Sequence, residues 1–178
     1  GLIIYPTDTV YGLGCDIFQK KAIEKIYQIK PNLDNKPLSF ICADLKDISK
    51  YAKVSTQVYR LLKYAFPGPY TFILPAAREV PKKLWSKRKT VGIRVPDNLI
   101  AQSLARELGH PIVSTSITND NGEILNDEES IVKYYRKKVD LILYAGPLRL
   151  TPSTIIDFST EEPEIVRVGA GDVSFLEA

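Results

Sequence analysis

Apolar and amphipathic runs alternate along this chain from its first residues to its last. Leu2 to Tyr5 and Leu13 to Ile17 are short, mostly aliphatic runs and predict buried strands. Lys21 to Lys30 sets Ile23, Ile26, Tyr27 and Lys30 at helical spacing and predicts a helix. Leu38 to Cys42 reads as a short buried strand. Ser55 stands where an N-cap is needed for a second helix with Val58, Leu61 and Leu62 facing inward. Pro67-Gly68-Pro69 stops that helix. Tyr70 to Leu74 and Val91 to Val95 predict strands. Leu99 to Leu108 predicts a helix closed by Gly109, and Ile112 to Ser116 another strand. The polar stretch from Thr118 to Glu129 reads as a loop. Glu128 to Lys138 predicts a last helix, with Ile131, Val132 and Tyr135 inward. Strands are expected at Val139 to Tyr144, Thr154 to Phe158 and Ile165 to Val168. Interleaving of this kind implies an α/β (α+β) fold, a mixed sheet covered by helices. No fixed-period repeat or linker-like composition divides it, so residues 1–178 are expected to form one domain.

Composition narrows the class. The chain has 178 residues, 44% hydrophobic and 25% charged, which leaves room for a sizeable core. No apolar stretch approaches the roughly 18 residues that span a bilayer, and no signal-peptide pattern is visible, so a cytoplasmic protein without membrane contact is expected. Cys15 and Cys42 lie in apolar runs and read as buried, inert thiols. Two cysteines and one histidine argue against a disulfide framework or a zinc site. Gly1 begins mid-pattern without an initiator Met, and Leu2 to Tyr5 needs a neighbour. A native helix ahead of it, in a missing N-terminal segment, is the expectation. Net charge is only +3, but Lys82, Lys83, Lys87, Arg88, Lys89 and Arg94 crowd one stretch around Trp85. That stretch is either a nucleic-acid face, with Lys87 and Arg88 as its contacts, or a solvated connection.

The candidate chemistry starts at Tyr5-Pro6-Thr7-Asp8-Thr9-Val10-Tyr11-Gly12-Leu13. An apolar strand empties into a turn rich in hydroxyls, with a Gly that permits close backbone approach. Strand ends followed by such loops are where open α/β sheets build small-molecule sites. The same residues also suit a purely structural turn. Arg94 interrupts an apolar strand, so it must be ion-paired or bind an anion. Lys30 ends a helix, where a cation complements the dipole. Ser153 and Thr154 follow a proline at a strand start and are placed to bind phosphate.

The opening run resembles the signature of the YrdC/YciO family, whose best-known members are threonylcarbamoyl-adenylate synthases. Four further segments fit in the same order: Lys30 to Leu38, Pro67 to Leu74, Gly92 to Asn98, and Pro152 to Asp157. Ser114-Thr115-Ser116 fits in part. The resemblance implies a twisted mixed sheet folded around a large, positively lined cavity. It also implies a reaction joining L-threonine, bicarbonate and ATP, with Mg2+ carried by the nucleotide and no permanent cofactor. The product serves a transferase that modifies tRNA beside the anticodon. Carried over residue by residue, Lys30, Arg94 and Ser116 are the catalytic candidates. Thr9, Tyr11, Thr71 and Ser114 face threonine, and Ser153, Thr154 and Arg167 the nucleotide. Two positions depart from the synthase pattern. Asn32 replaces an arginine two residues after the lysine, and Thr118 replaces the asparagine of an S-x-N pattern. Both departures resemble the YciO branch, which leaves open a paralogue that binds a nucleotide or structured RNA without efficient turnover. A charged hydrogen bond is worth about 1.5–3 kcal/mol, so losing two costs roughly 10²–10⁴ in rate or affinity.

Overall fold

The computed structural model describes residues 1–30, 33, 38–46, 48–84 and 87–177. The first departure, Asn32, and most of the Lys30 to Leu38 segment lie outside the described residues. So does Trp85.

Strands β1 (Ile3–Tyr5), β2 (Gly12–Asp16), β3 (Ser39–Ile41), β4 (Tyr70–Pro75), β5 (Thr90–Arg94) and β6 (Ile112–Ser116) come first. β7 (Leu141–Ile142), β8 (Thr154–Asp157) and β9 (Glu164–Arg167) complete the sheet. Its order among the described residues is β7-β1-β2-β6-β3-β5-β4-β8-β9. Pairing is mixed: β3 runs parallel to β5, and β4 parallel to β8, while β2–β6, β3–β6 and β4–β5 are antiparallel. The helices are α1 (Lys20–Ile29), α2 (Ile48–Tyr51), α3 (Thr56–Ala65), α4 (Leu99–Leu108) and α5 (Glu128–Tyr135).

Local chemistry explains the boundaries. Ser55 Oγ accepts from Val58 N at 3.2 Å and caps α3. Asn98 and Asp127 cap α4 and α5 in the same way. Gly109 closes α4 with φ of +80°, a conformation that costs a side-chain-bearing residue strain. β7 and α5 come out shorter than expected. β7 covers two residues because its one partner, β1, is itself short, with Ile3 opposite Leu141 and Ile4 opposite Ile142. α5 stops near Arg136, where Lys138 N and Val139 N both turn back to Tyr135 O. Helix α2, four residues long, is too brief to leave a periodic signal.

Side chains alternate across a strand, and here the alternation divides core from site. Phe40, Phe72, Ile93, Val113 and Ile156 enter the main core with Ile23, Ile26, Leu62 and Ile131 from α1, α3 and α5. The neighbours Ile41 and Ile112 point the other way and pack on Ala101 and Ala105 of α4. Helix α4 covers only part of that second face. Cys15 and Cys42 are free and buried, and burial pushes the Cys15 thiol up to about 12, so it is no thiolate near neutrality. Among the described residues, no helix is long and apolar enough to cross a membrane.

Candidate active site

The second face of the sheet is lined with small residues where α4 does not cover it. Register puts Gly14 opposite Ser114, Ser114 opposite Ser39, Ser39 opposite Gly92, and Gly92 opposite Ile73. A row of glycines and serines across adjacent strands leaves a depression where larger side chains would fill it. The result is a cavity of about 470 Å³, walled by residues that include Thr7, Tyr11, Thr71, Arg94, Ser114, Ser116, Ser153 and Arg167. Gly12 belongs to the same wall. A Cβ there would lie 2.9 Å from both Ser114 Oγ and the Tyr5 hydroxyl, so only glycine admits that pair. Tyr5 donates to Ser114 Oγ at 2.5 Å, and burial raises the Tyr5 phenol to about 12. Ser114 is thereby held by a permanent donor.

Two arginines face this space. Arg94, at the end of β5, is 7% exposed and pairs with Asp8 at 2.5 Å. Its Nη2 also donates to Thr7 Oγ1 at 3.2 Å and Thr9 Oγ1 at 2.7 Å. Arg167, on edge strand β9, donates through Nε and Nη2 to Ser153 O at 3.0 and 2.8 Å. Burial lowers the Arg167 pKa first, and the charge of Arg94 lowers it further. Between them, Thr71 and Ser153 share a 2.9 Å hydroxyl hydrogen bond. Opposite, the Tyr11 hydroxyl donates to Gly146 O at 2.6 Å and accepts from Ala145 N at 2.9 Å, and its ring stacks on Tyr144. Tyr11 is thus a fixed aromatic wall whose hydroxyl is already committed.

Other expected site residues fall elsewhere. Thr9 is fully buried behind Arg94 and reaches the cavity only through it. Lys30 stands beside the wall, donating to Ser116 O and Thr118 Oγ1 at 2.7 Å each. Thr154 was expected at the nucleotide but does not line the cavity. Its hydroxyl donates to Gly171 O and accepts from Gly169 N and Gly171 N, which saturates it and fixes the turn after Arg167. Arg88 is tied to Asp157 at 3.1 Å and to Ser159 Oγ at 3.0 Å. The Asp157 side chain is 3% exposed, so Arg88 compensates a buried carboxylate. Neither Arg88 nor the exposed Lys87 borders the cavity. Sequence reasoning missed Thr7, Asp8 and Ser39. The signal for Ser39 was a small polar residue in an otherwise apolar strand. For Asp8 it was an acid in the hydroxyl-rich loop after the first strand, the chemistry a buried arginine needs. Among the described residues, no group of three or more His, Cys, Asp or Glu could hold a metal ion.

A family model for Sua5, YciO and YrdC proteins, described as "Telomere recombination", matches residues 1–169. The chain is 45% identical to YciO of Escherichia coli (strain K12) over 175 residues, 97% of this chain and 85% of that protein. The crystal structure of E. coli YciO superposes with a TM-score of 0.92. A threonylcarbamoyl-AMP synthase of Chromobacterium violaceum is 35% identical over 162 residues, 90% of this chain and 83% of the synthase. The crystal structure of P. abyssi Sua5 complexed with L-threonine is 28% identical, with a TM-score of 0.91 over 99% of this chain and 52% of that one. Similarity is thus greater to YciO than to these synthases. A mixed sheet with this motif order, matched over nearly its whole length, belongs to the Sua5/YciO/YrdC family.

Proposed function

We propose that the cavity binds L-threonine, bicarbonate and ATP and makes threonylcarbamoyl-AMP for tRNA modification, releasing pyrophosphate. The observation that carries this reading is the pair Arg94 and Arg167 on one cavity wall, close enough for one charge to lower the pKa of the other. Two desolvated cations facing one space suit a polyanion. Bicarbonate takes up a proton and loses water to give carbon dioxide, and the threonine amine adds to it and loses a proton to become a carbamate. A carbamate oxygen attacks the α-phosphorus, the bond to the bridging oxygen breaks, and pyrophosphate leaves with its electron pair. No protein nucleophile is needed. Alignment of the reactants alone offsets about 7–11 kcal/mol of barrier. The arginines neutralise charge that develops on the phosphates. Magnesium enters as part of the nucleotide substrate. The product would then pass to a transferase acting on tRNA.

The test is pyrophosphate release from ATP, measured with and without L-threonine and bicarbonate. Release that requires both supports the reading. ATP binding without threonine-dependent release removes it.

One observation favours a second reading, a YciO-type protein that binds a nucleotide or structured RNA without efficient turnover. Thr118, one of the two departures from the synthase pattern, holds the Lys30 ammonium at 2.7 Å. The cation that the synthase reading assigns to carbamate and phosphate is thereby engaged by a neutral hydroxyl. If structured RNA is the ligand and 87–89 its contact, affinity should fall steeply with salt, and Lys87→Glu should weaken it while sparing small-molecule binding. Lys87 is the cleaner probe, since Arg88 also compensates Asp157.

A further inference from the structure

Three adjacent strands, β1, β2 and β6, build one buried hydrogen bond at the cavity wall. Tyr5 of β1 stands opposite Gly12 of β2, and Ser114 of β6 stands opposite Gly14 of β2. The Tyr5 ring crosses β2 over these two glycines. A Cβ on Gly14 would lie 3.1 Å from Tyr5 Cε1, and one on Gly12 would lie 2.9 Å from the Tyr5 hydroxyl. Any larger residue at either place would close the passage. The phenol therefore reaches past a whole strand and donates to Ser114 Oγ at 2.5 Å.

Counting hydrogens shows what this bond leaves over. Among the described residues it is the one hydrogen bond that either hydroxyl makes. Two hydroxyls carry two hydrogens, and their mutual bond uses one. Tyr5 is fully buried and does not line the cavity, whereas Ser114 does. A hydrogen left on the phenol would be enclosed without an acceptor, which costs free energy. The phenol therefore spends its hydrogen on Ser114, and the spare hydrogen belongs to the serine. Ser114 is itself 5% exposed, so the cavity is where an acceptor for that hydrogen can stand.

We propose that Tyr5 is a positioning residue: by donating to Ser114 Oγ across β2, it makes the Ser114 hydroxyl a fixed donor to a carboxylate or phosphate oxygen in the cavity. Tyr5 itself does not touch the ligand. This rests on the reading of the cavity as an anion site, but not on turnover there. Burial pushes the Tyr5 phenol up to about 12, so it remains a donor at neutral pH. A hydroxyl that accepts one hydrogen bond is polarised and donates the next more strongly. Without the phenol, the Ser114 hydroxyl is free to rotate, and the ligand would have to order it.

The test is a double-variant cycle in the full chain, read once by denaturant unfolding and once by calorimetric titration with L-threonine and with ATP. L-threonine brings a carboxylate and ATP brings phosphates, so the titration that responds names the group. Ser114→Ala should lower stability, because the buried Tyr5 hydroxyl loses its acceptor. It should also weaken at least one ligand about tenfold or more, the scale of a hydrogen bond to a charged group. Tyr5→Phe should weaken the same ligand about two- to tenfold with Ser114 still in place. Tyr5→Phe combined with Ser114→Ala removes both partners, so it should regain most of the stability lost in Ser114→Ala but none of the affinity. A pair with a purely structural role would regain both together, and that result would overturn the proposal. Wild-type affinity in Tyr5→Phe would overturn it too, leaving Ser114 to act unaided, as would a wild type that binds neither ligand. Should Ser114→Ala fail to fold, Tyr5→Phe and the double variant still decide. The outcomes separate from those of the preceding reading. Affinity lost in Tyr5→Phe and in the double variant, in a wild type that releases no pyrophosphate, defeats the synthase and keeps the positioning role. Release by the wild type, with affinity unchanged in both variants, does the reverse.

Discussion

Arg94 and Lys30 mark two corners of the site, and they differ in the element that carries them and in burial. Arg94 ends a central strand, is almost wholly buried and is matched by a carboxylate. Lys30 ends helix α1, is half-buried, and donates to the Ser116 carbonyl and the Thr118 hydroxyl. The first corner is locked between a strand end and the loop after β1. The second lies at a helix end that solvent still reaches. The buried cation is therefore part of the frame, and the half-exposed one has room to turn toward a ligand.

Removal of each cation should expose the difference. Arg94→Ala leaves Asp8 unpaired in a pocket where its side chain is 12% exposed. It should cost about 3 kcal/mol of stability, the lower range for breaking a buried pair, and abolish ligand binding. Denaturant unfolding and calorimetric titration read both. Lys30→Ala removes the hydrogen bonds to Ser116 O and Thr118 Oγ1 and a favourable helix-end charge. Solvent shares the ammonium, so roughly 1–2 kcal/mol is expected. Threonine-dependent pyrophosphate release should nevertheless vanish. Equal loss of stability in the two variants would break the contrast between frame and mobile cation.

A third variant asks whether a hydroxyl belongs to frame or site. Thr154 looked like a phosphate ligand because it follows a proline at a strand start. Its oxygen instead meets three backbone groups of the turn at 169–171. Thr154→Val should therefore lower stability by about 1–3 kcal/mol, because buried backbone groups lose their partner. At temperatures where the variant is folded, the KM for ATP should stay within about twofold, well under one hydrogen bond's worth of affinity. A large rise in KM with unchanged stability would return Thr154 to the nucleotide.

The same cases show where sequence was and was not enough. Elements set by near neighbours were legible. Ser55 and Gly109 terminate their helices as their chemistry requires, and the short apolar and β-branched runs at Leu38 to Cys42 and Ile112 to Ser116 mark strands. Contacts set by sheet order were not. Asp8 meets Arg94, and Lys30 meets Thr118, only because β6 and β3 lie between β2 and β5, and no local pattern encodes that order. The motifs announced which residues gather. They did not say which oxygen each cation would find, and that choice separates Thr154 in the frame from Ser153 in the wall.

The smallest expected effect tests the Lys30 corner most finely. Thr118→Asn restores the synthase pattern while keeping a polar side chain. Tyr135 grips the Thr118 backbone, donating to its carbonyl at 2.7 Å, so the substitution should leave the loop in place. Stability should change by less than about 0.5 kcal/mol, as for a substitution that breaks no buried network. Turnover should rise. A threonine hydroxyl competes with the ligand for the ammonium. An asparagine amide also offers two N–H donors, so it can meet a phosphate or carboxylate oxygen itself. One added hydrogen bond to a charged group is worth about 1.5–3 kcal/mol, a gain of roughly tenfold or more in kcat/KM. Asn32→Arg should act in the same direction, since a forked cation grips both anions. The two gains should combine more than additively if both residues serve the same phosphate. No gain from either, in a wild type that already turns over, would mean that Thr118 positions Lys30 instead of restraining it. The contrast between the corners would then be one of chemistry alone, not of mobility.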